Sequence, residues 1–97
     1  MRHVLFLPEA AEEAFEAGAF YDSRAGGLGA AFILALEQAL RAILSNPHAG
    51  TVIHRATRRR LLDRFPYAVV YVIESDHIIV VAVMHLHRRP DYWAGRL

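Results

Sequence analysis

The run Tyr67-Ala68-Val69-Val70-Tyr71-Val72-Ile73-Glu74-Ser75-Asp76-His77-Ile78-Ile79-Val80-Val81-Ala82-Val83-Met84-His85-Leu86 decides the fold. Two segments built almost wholly from Val, Ile, Ala and Tyr are joined by Glu74-Ser75-Asp76-His77. β-Branched residues pack well on a pleated surface, and a short polar connection between two such segments reads as a turn. The pattern predicts strands over residues 67–73 and 78–86. Neither segment alternates apolar with polar, so both strands should be buried on both faces rather than solvated on one.

Upstream, Phe65-Pro66 interrupts the chain, and residues 57–64 read as a third strand. Residues 47–56 read as a loop. Before it, Phe32, Leu36, Ala39 and Ile43 recur at helical spacing over about residues 28–45, with Ile33, Leu40 and Leu44 widening the apolar face. Asn46 precedes Pro47 and is pushed out of the α region, which ends that helix. A first helix starts at Pro8, whose missing N–H costs nothing in a first turn, with Glu9, Glu12 and Glu13 near the positive end of its dipole. It reads as running to about Asp22, with Ala11, Ala14, Phe15, Gly18 and Tyr21 on its packed side. Gly26, Gly27 and Gly29 make the turn between the two helices, and His3 to Leu7 form an N-terminal strand. The expected fold is α+β over one domain, residues 1–97. It comprises an N-terminal strand, an antiparallel helical hairpin and a three-stranded antiparallel meander. Together the strands form one four-stranded sheet, with strand 1 beside the last. The helices cover one face of this sheet, and nothing obvious in the chain covers the other.

Composition narrows the classes further. The 97 residues are 55% hydrophobic with a net charge of +1, which is incompatible with disorder driven by charge. No apolar run reaches the roughly 18 to 20 residues of a membrane span, and no basic segment precedes an apolar stretch at the N-terminus. With no cysteine there is no disulfide framework and no thiolate metal site, so a cytoplasmic protein without a cofactor is expected. All eleven basic side chains are arginine and there are 16 alanines, a usage that fits codon preference in a GC-rich genome. Their placement carries more meaning. Residues 1–50 hold three arginines against six acids (−3), and residues 51–97 hold eight against four (+4).

Two basic groups are candidate sites. Arg55, Arg58, Arg59, Arg60 and Arg64 crowd residues 55–64, with Asp63 the one acid among them. Guanidinium binds phosphate through a planar fork and stays charged at any cellular pH, so the cluster suits a nucleic acid or an acidic partner. As a solvated edge strand it would instead resist aggregation. Strand alternation puts Arg58, Arg60 and Arg64 on one side and Arg59 on the other. The second group is His85, His87, Arg88, Arg89, Tyr92 and Trp93. His85 and His87 share a strand face and could perform acid–base chemistry near neutrality, or be structural, with Tyr92 and Trp93 anchoring the tail. Too few ligand-type residues lie nearby for a metal site. Gly26, Gly27 and Gly29 lack the Lys-Ser/Thr and the preceding strand of a phosphate loop.

The order strand, helical hairpin, three strands, with Phe65-Pro66-Tyr67-Ala68-Val69-Val70-Tyr71 and then Val81 to Trp93, resembles the RelE/ParE superfamily of bacterial type II toxins, also called the plasmid stabilisation family. Gly27-Leu28-Gly29 before the second helix, Asn46-Pro47 after it and the arginine-rich strand complete the resemblance over nearly the whole chain. It implies a growth-inhibiting toxin neutralised by a cognate antitoxin, working as a possible dimer or toxin–antitoxin heterotetramer, with DNA gyrase or ribosome-bound mRNA as target. RelE-like members cut mRNA without metal, using basic residues and a tyrosine. On that pattern Arg59 and Arg88 carry over, Leu61 and Ala68 stand where basic residues are expected, and Tyr92 and Trp93 are offset from the C-terminal tyrosine. The resemblance therefore implies a ParE-like gyrase inhibitor. The alternatives are an mRNA endonuclease using Arg59, His85, His87, Arg88 and Tyr92, and a non-toxic binding module. Target contact would fall to Arg55, Arg58, Arg59, Arg60, Arg64, Arg88 and Arg89.

Overall fold

The computed structural model describes residues 2–97. Its elements run β1 (His3–Phe6), α1 (Pro8–Arg24), α2 (Leu28–Ser45), a 3-10 turn (Pro47–Ala49), β2 (Thr51–His54), β3 (Thr57–Leu61), β4 (Tyr67–Ile73), β5 (His77–His85) and a final 3-10 turn (Ala94–Arg96). The α+β architecture is the expected one. The sheet has five strands rather than four, in the order β1-β5-β4-β3-β2. β1 lies parallel to β5 from His3 opposite His77 to Phe6 opposite Val80, and the other pairs are antiparallel. The fifth strand is β2, inside the segment expected to be a loop. Its hairpin to β3 closes from His54 to Thr57 through Arg55-Ala56, with Arg55 left-handed at φ 51°. That turn lacks the Asn-Gly or Asp-Gly pair which marks most two-residue hairpins, so its local signal is faint.

β3 stops at Leu61, three residues short of its expected end. Arg64 therefore sits in the β3–β4 connection at φ 69° and does not share a strand face with Arg58 and Arg60. β4 spans the expected residues, and β5 starts one residue earlier and ends one sooner.

The helical hairpin covers one sheet face. Its core joins Phe32, Leu36 and Ile43 of α2 to Val69, Tyr71, Ile78, Val80 and Val83 of the sheet. α1 contributes Ala10, Ala14 and Ala17, small side chains that let its backbone lie close over β5. The packed side of α1 is thus rotated from the expectation: Ala11 is exposed and Phe15 is 76% exposed. Tyr21, Phe32, Phe65 and Tyr67 interlock at the end of the sheet where β4 begins, with ring centroids 4.9–5.5 Å apart for Tyr21–Phe65, Phe32–Tyr67, Phe32–Phe65 and Tyr21–Phe32. At the other end the buried Tyr71 hydroxyl donates to Pro47 O at 2.6 Å and ties the 3-10 turn to the sheet. α2 is 18 residues long and apolar enough by composition to cross a bilayer, but its Phe32–Leu36–Ile43 stripe is spent on the sheet.

The second sheet face is covered by the chain's own C-terminus. Trp93, 1% exposed, forms a second core with Ala68, Val70, Val81, Ala82 and Met84, flanked by Leu7, Ile53 and Tyr92. A face expected to lack any cover within the chain therefore has one. The turn that brings the tail back passes through Asp91 at φ 61°.

The two helices meet most closely at Gly29. A Cβ there would lie 2.6 Å from Gly18 O and 2.9 Å from Asp22 Cβ, and Asp22 Oδ1 accepts from the N–H groups of Gly27 and Gly29 at the start of α2. Gly29→Ala is expected to lower stability by about 1–3 kcal/mol, because a backbone carbonyl cannot yield as a side chain can. Denaturant unfolding of both proteins checks this, and equal midpoints would contradict the close crossing.

Candidate functional site

Antiparallel pairing sets which side chains share a face, because directly opposed residues point the same way. Arg58 opposes Tyr71 and Arg60 opposes Val69, which places both on the helix side. Arg59 opposes Val70 and Leu61 opposes Ala68, which places them on the tail side with Trp93. Leu61 and Ala68, standing where a RelE-like nuclease has basic residues, are thus direct neighbours on an apolar surface. The single cation left on that face near them is Arg59.

The other nuclease candidates lie elsewhere. His85 opposes Tyr67, whose ring packs with the hairpin core, and their centroids are 5.0 Å apart. A depression of about 170 Å³ between α1 and the end of β5 is lined by Glu13, Glu16, Phe20, Tyr67, His85 and Arg88. His85 Nδ1 accepts from the backbone N–H of His87 at 3.0 Å, which fixes the imidazole at the wall of the depression. The sheet itself therefore separates Arg59 from His85 and Arg88, so these residues do not converge on one scissile phosphate.

Tyr92 is committed too. Its hydroxyl donates to Glu13 Oε2 at 2.7 Å, while Arg88 stacks over its ring at 3.9 Å. Burial, and after it the hydrogen bond to the Glu13 carboxylate, push the Tyr92 phenol far above the ordinary value. A phenol held as a donor to a carboxylate cannot take a proton from a 2′-hydroxyl. Burial likewise raises the Tyr67 phenol.

Glu13 is the centre of this region, and the sequence pattern gave it only a helix-dipole role. Its Oε1 accepts from the Val83 N–H at 3.0 Å and from Arg96 at 2.9 Å, and its Oε2 accepts from Arg96 at 2.9 Å and from Tyr92. Arg96 also donates to Val81 O at 3.0 Å. These backbone groups lie beyond the last β1 pair, Phe6 with Val80, where the irregularity at Val70/Tyr71 shifts the register of β5. A carboxylate and a guanidinium thus stand in for the missing continuation of β1. The side chains of Glu13 and Arg96 are 14% and 16% exposed. Burial alone would raise the Glu13 carboxyl, but the hydrogen bonds from Arg96, Tyr92 and Val83 outweigh it and hold the group below its usual 4.5. No spacing rule could have paired residues 83 positions apart.

The arginine cluster divides. Arg58 is structural: its guanidinium donates to His48 O at 2.9 Å and to Gly50 O at 2.8 Å. Arg59 and Arg60 line a notch of about 290 Å³ with Gly50 and Thr51, where β3 runs past the start of β2. Arg55 lies at the opposite end of the sheet, in the β2–β3 turn. Arg64 stacks over Phe65 at 5.7 Å, and Arg89 is exposed beside Arg88. Among the described residues no three His, Asp or Glu side chains are grouped to hold a metal ion.

Comparison with known proteins adds two findings. The family model described as the ParE toxin of the type II toxin–antitoxin system parDE matches residues 4–90. A solved structure described as the chromosomal ParDE toxin–antitoxin system from P. aeruginosa superimposes with a TM-score of 0.77, covering 90% of this chain and 97% of that chain at 12% identity, a likeness of fold. No curated protein matches the chain. The family match ends at Pro90, so Tyr92, Trp93 and Arg96, which close both the second face and the β5 edge, lie outside it.

Glu13→Gln is expected to cost about 1.5–3 kcal/mol at pH 7, the range for hydrogen bonds to a charged group. Because folding lowers the Glu13 pKa, its contribution is full above the ordinary carboxylate value and fades as pH falls below about 4.5. Unfolding midpoints of the two proteins between pH 7 and pH 3 should therefore converge on the acid side. A gap that stays constant with pH would show that Glu13 is not the ionised partner.

Proposed function

Because the chain belongs to the ParE toxin family of type II toxin–antitoxin systems, we propose that it arrests growth by poisoning DNA gyrase through a protein interface, without cutting RNA itself. One observation carries the second half of this reading. The sheet face on which a metal-free nuclease would gather phosphate-neutralising charges bears the opposed pair Leu61 and Ala68 and is packed by Trp93. Cations that neutralise a transferring phosphoryl group contribute several kcal/mol each, and an apolar surface supplies none. The separation of Arg59 from His85 and Arg88, and the commitment of Tyr92 to Glu13, point the same way.

Family membership also supports a cognate antitoxin as partner and the cytoplasm as the place of action. Charge supports a division of labour within that assembly. α1 exposes Glu9, Glu12, Glu16 and Asp22 against Arg24, so its exposed side is acidic, while the free arginines leave from the strands and the tail.

Inducing the lone chain in bacteria tests the reading. Growth arrest with gyrase-dependent double-strand breaks and an SOS response is the expected result. Codon-periodic cleavage of mRNA with intact DNA would replace it with the endonuclease reading. No effect on growth would leave a binding module without toxicity.

A further inference from the structure

The strand directions bring several unpaired arginines to one end of the sheet. β3 ends there at Leu61, β4 begins there at Tyr67 and β5 ends there at His85, with Leu61 opposite Ala68 and Tyr67 opposite His85. Arg60 leaves from the end of β3, Arg64 from the β3–β4 connection, and Arg88 from the turn after β5. Arg96 with Glu13 is the one ion pair among the described residues, so none of these three guanidiniums is neutralised by an acid. The acids at this end are Asp63, beside Arg60 and Arg64, and Glu16 and Glu13, beside Arg88, with Glu13 already paired to Arg96.

Two of the three are held in place by something other than charge. Arg88 lies over the Tyr92 ring at 3.9 Å, and Arg64 over the Phe65 ring at 5.7 Å. Stacking orients a guanidinium while leaving its in-plane N–H donors free, the geometry that suits a phosphate. Arg64 also occupies left-handed backbone at φ 69°, which is unfavourable for any side chain with a Cβ. Folding alone would favour glycine there, so the strain points to a role for the side chain itself.

We propose that this end of the sheet binds the phosphate backbone of duplex DNA through Arg60, Arg64 and Arg88. β3 and β5 are two strand spacings apart, about 10 Å, close to the roughly 12 Å width of the major groove. Arginines leaving from both can reach the two phosphate rails of one groove. A duplex fits better than a single strand, because Phe65 and Tyr92 already lie under guanidiniums and are closed to stacked bases. The proposal does not rest on gyrase being the target. A chain that binds duplex but leaves gyrase untouched fails only the reading above.

The test is titration of the purified full-length chain with a fluorescent random-sequence duplex at 50 to 200 mM salt. Three phosphate contacts predict a log–log slope of about −2.7, which is roughly a 40-fold loss of affinity over that range. Each Arg→Ala change at 60, 64 or 88 should flatten the slope by about 0.9, and Arg64→Lys should retain it. Arg64→Gly is the decisive variant: it should weaken binding while keeping or raising the Tm, whereas a merely structural arginine would lose both. The proposal is overturned by no binding at 50 mM salt or by a slope unchanged in the triple alanine variant. Tighter binding of a single strand, or equal competition by polyglutamate, would overturn it as well.

Discussion

The β4–β5 hairpin is apolar on both faces, and the rest of the molecule is arranged to keep water from each of them. Val69, Tyr71, Ile78, Val80 and Val83 face the helices, and Ala68, Val70, Ala82 and Met84 face the tail. Leaving one such face in water forfeits about 25 cal/mol for each Å² of apolar surface, a heavy loss for a domain of 97 residues. The alanine-rich α1 and the broad apolar side of α2 meet the first demand. A short tail carrying one tryptophan meets the second.

The same arrangement decides what chemistry the sheet can host. A face filled by Trp93 and bordered by Leu61 cannot also hold a set of solvated cations around a phosphate. The backbone groups of β5 beyond the reach of β1 pose a related problem, since an open edge both costs hydrogen bonds and invites pairing with other strands. Glu13 and Arg96 close it with side chains, and Tyr92 joins them. Tail, edge and second face are thus one cooperative unit. The part of it that follows Pro90 lies beyond the residues matched by the family model.

Most of the fold was legible because its signals are local. Uninterrupted Val and Ile runs, helical spacing in α2, Pro8 and Asn46-Pro47 each act within a few residues. β2 escaped because its hairpin is closed by Arg55-Ala56, with no glycine to announce it. The packed side of α1 differs from the expected one because alanines, not Phe15, make the contact: on a helix that must lie close to a sheet, small side chains win over large ones. The candidate site was legible only in its ingredients. Sequence marks a group of arginines, but alternation across a sheet and competition for carbonyls sort them, sending Arg58 to structural duty and Arg59 to the opposite face from Arg60. Glu13 was invisible in its main role, since its partners are Val83, Tyr92 and Arg96.

The account therefore turns on whether the tail occupies the second sheet face in solution. Trp93 is the only tryptophan in the chain, so its fluorescence reports that contact without labelling. The native protein should emit at short wavelength, resist quenching by iodide and acrylamide, and shift to long wavelength in the same transition that melts the backbone. A native tryptophan that emits and quenches as freely as in the unfolded chain would contradict the account, because the face would then be open for a substrate.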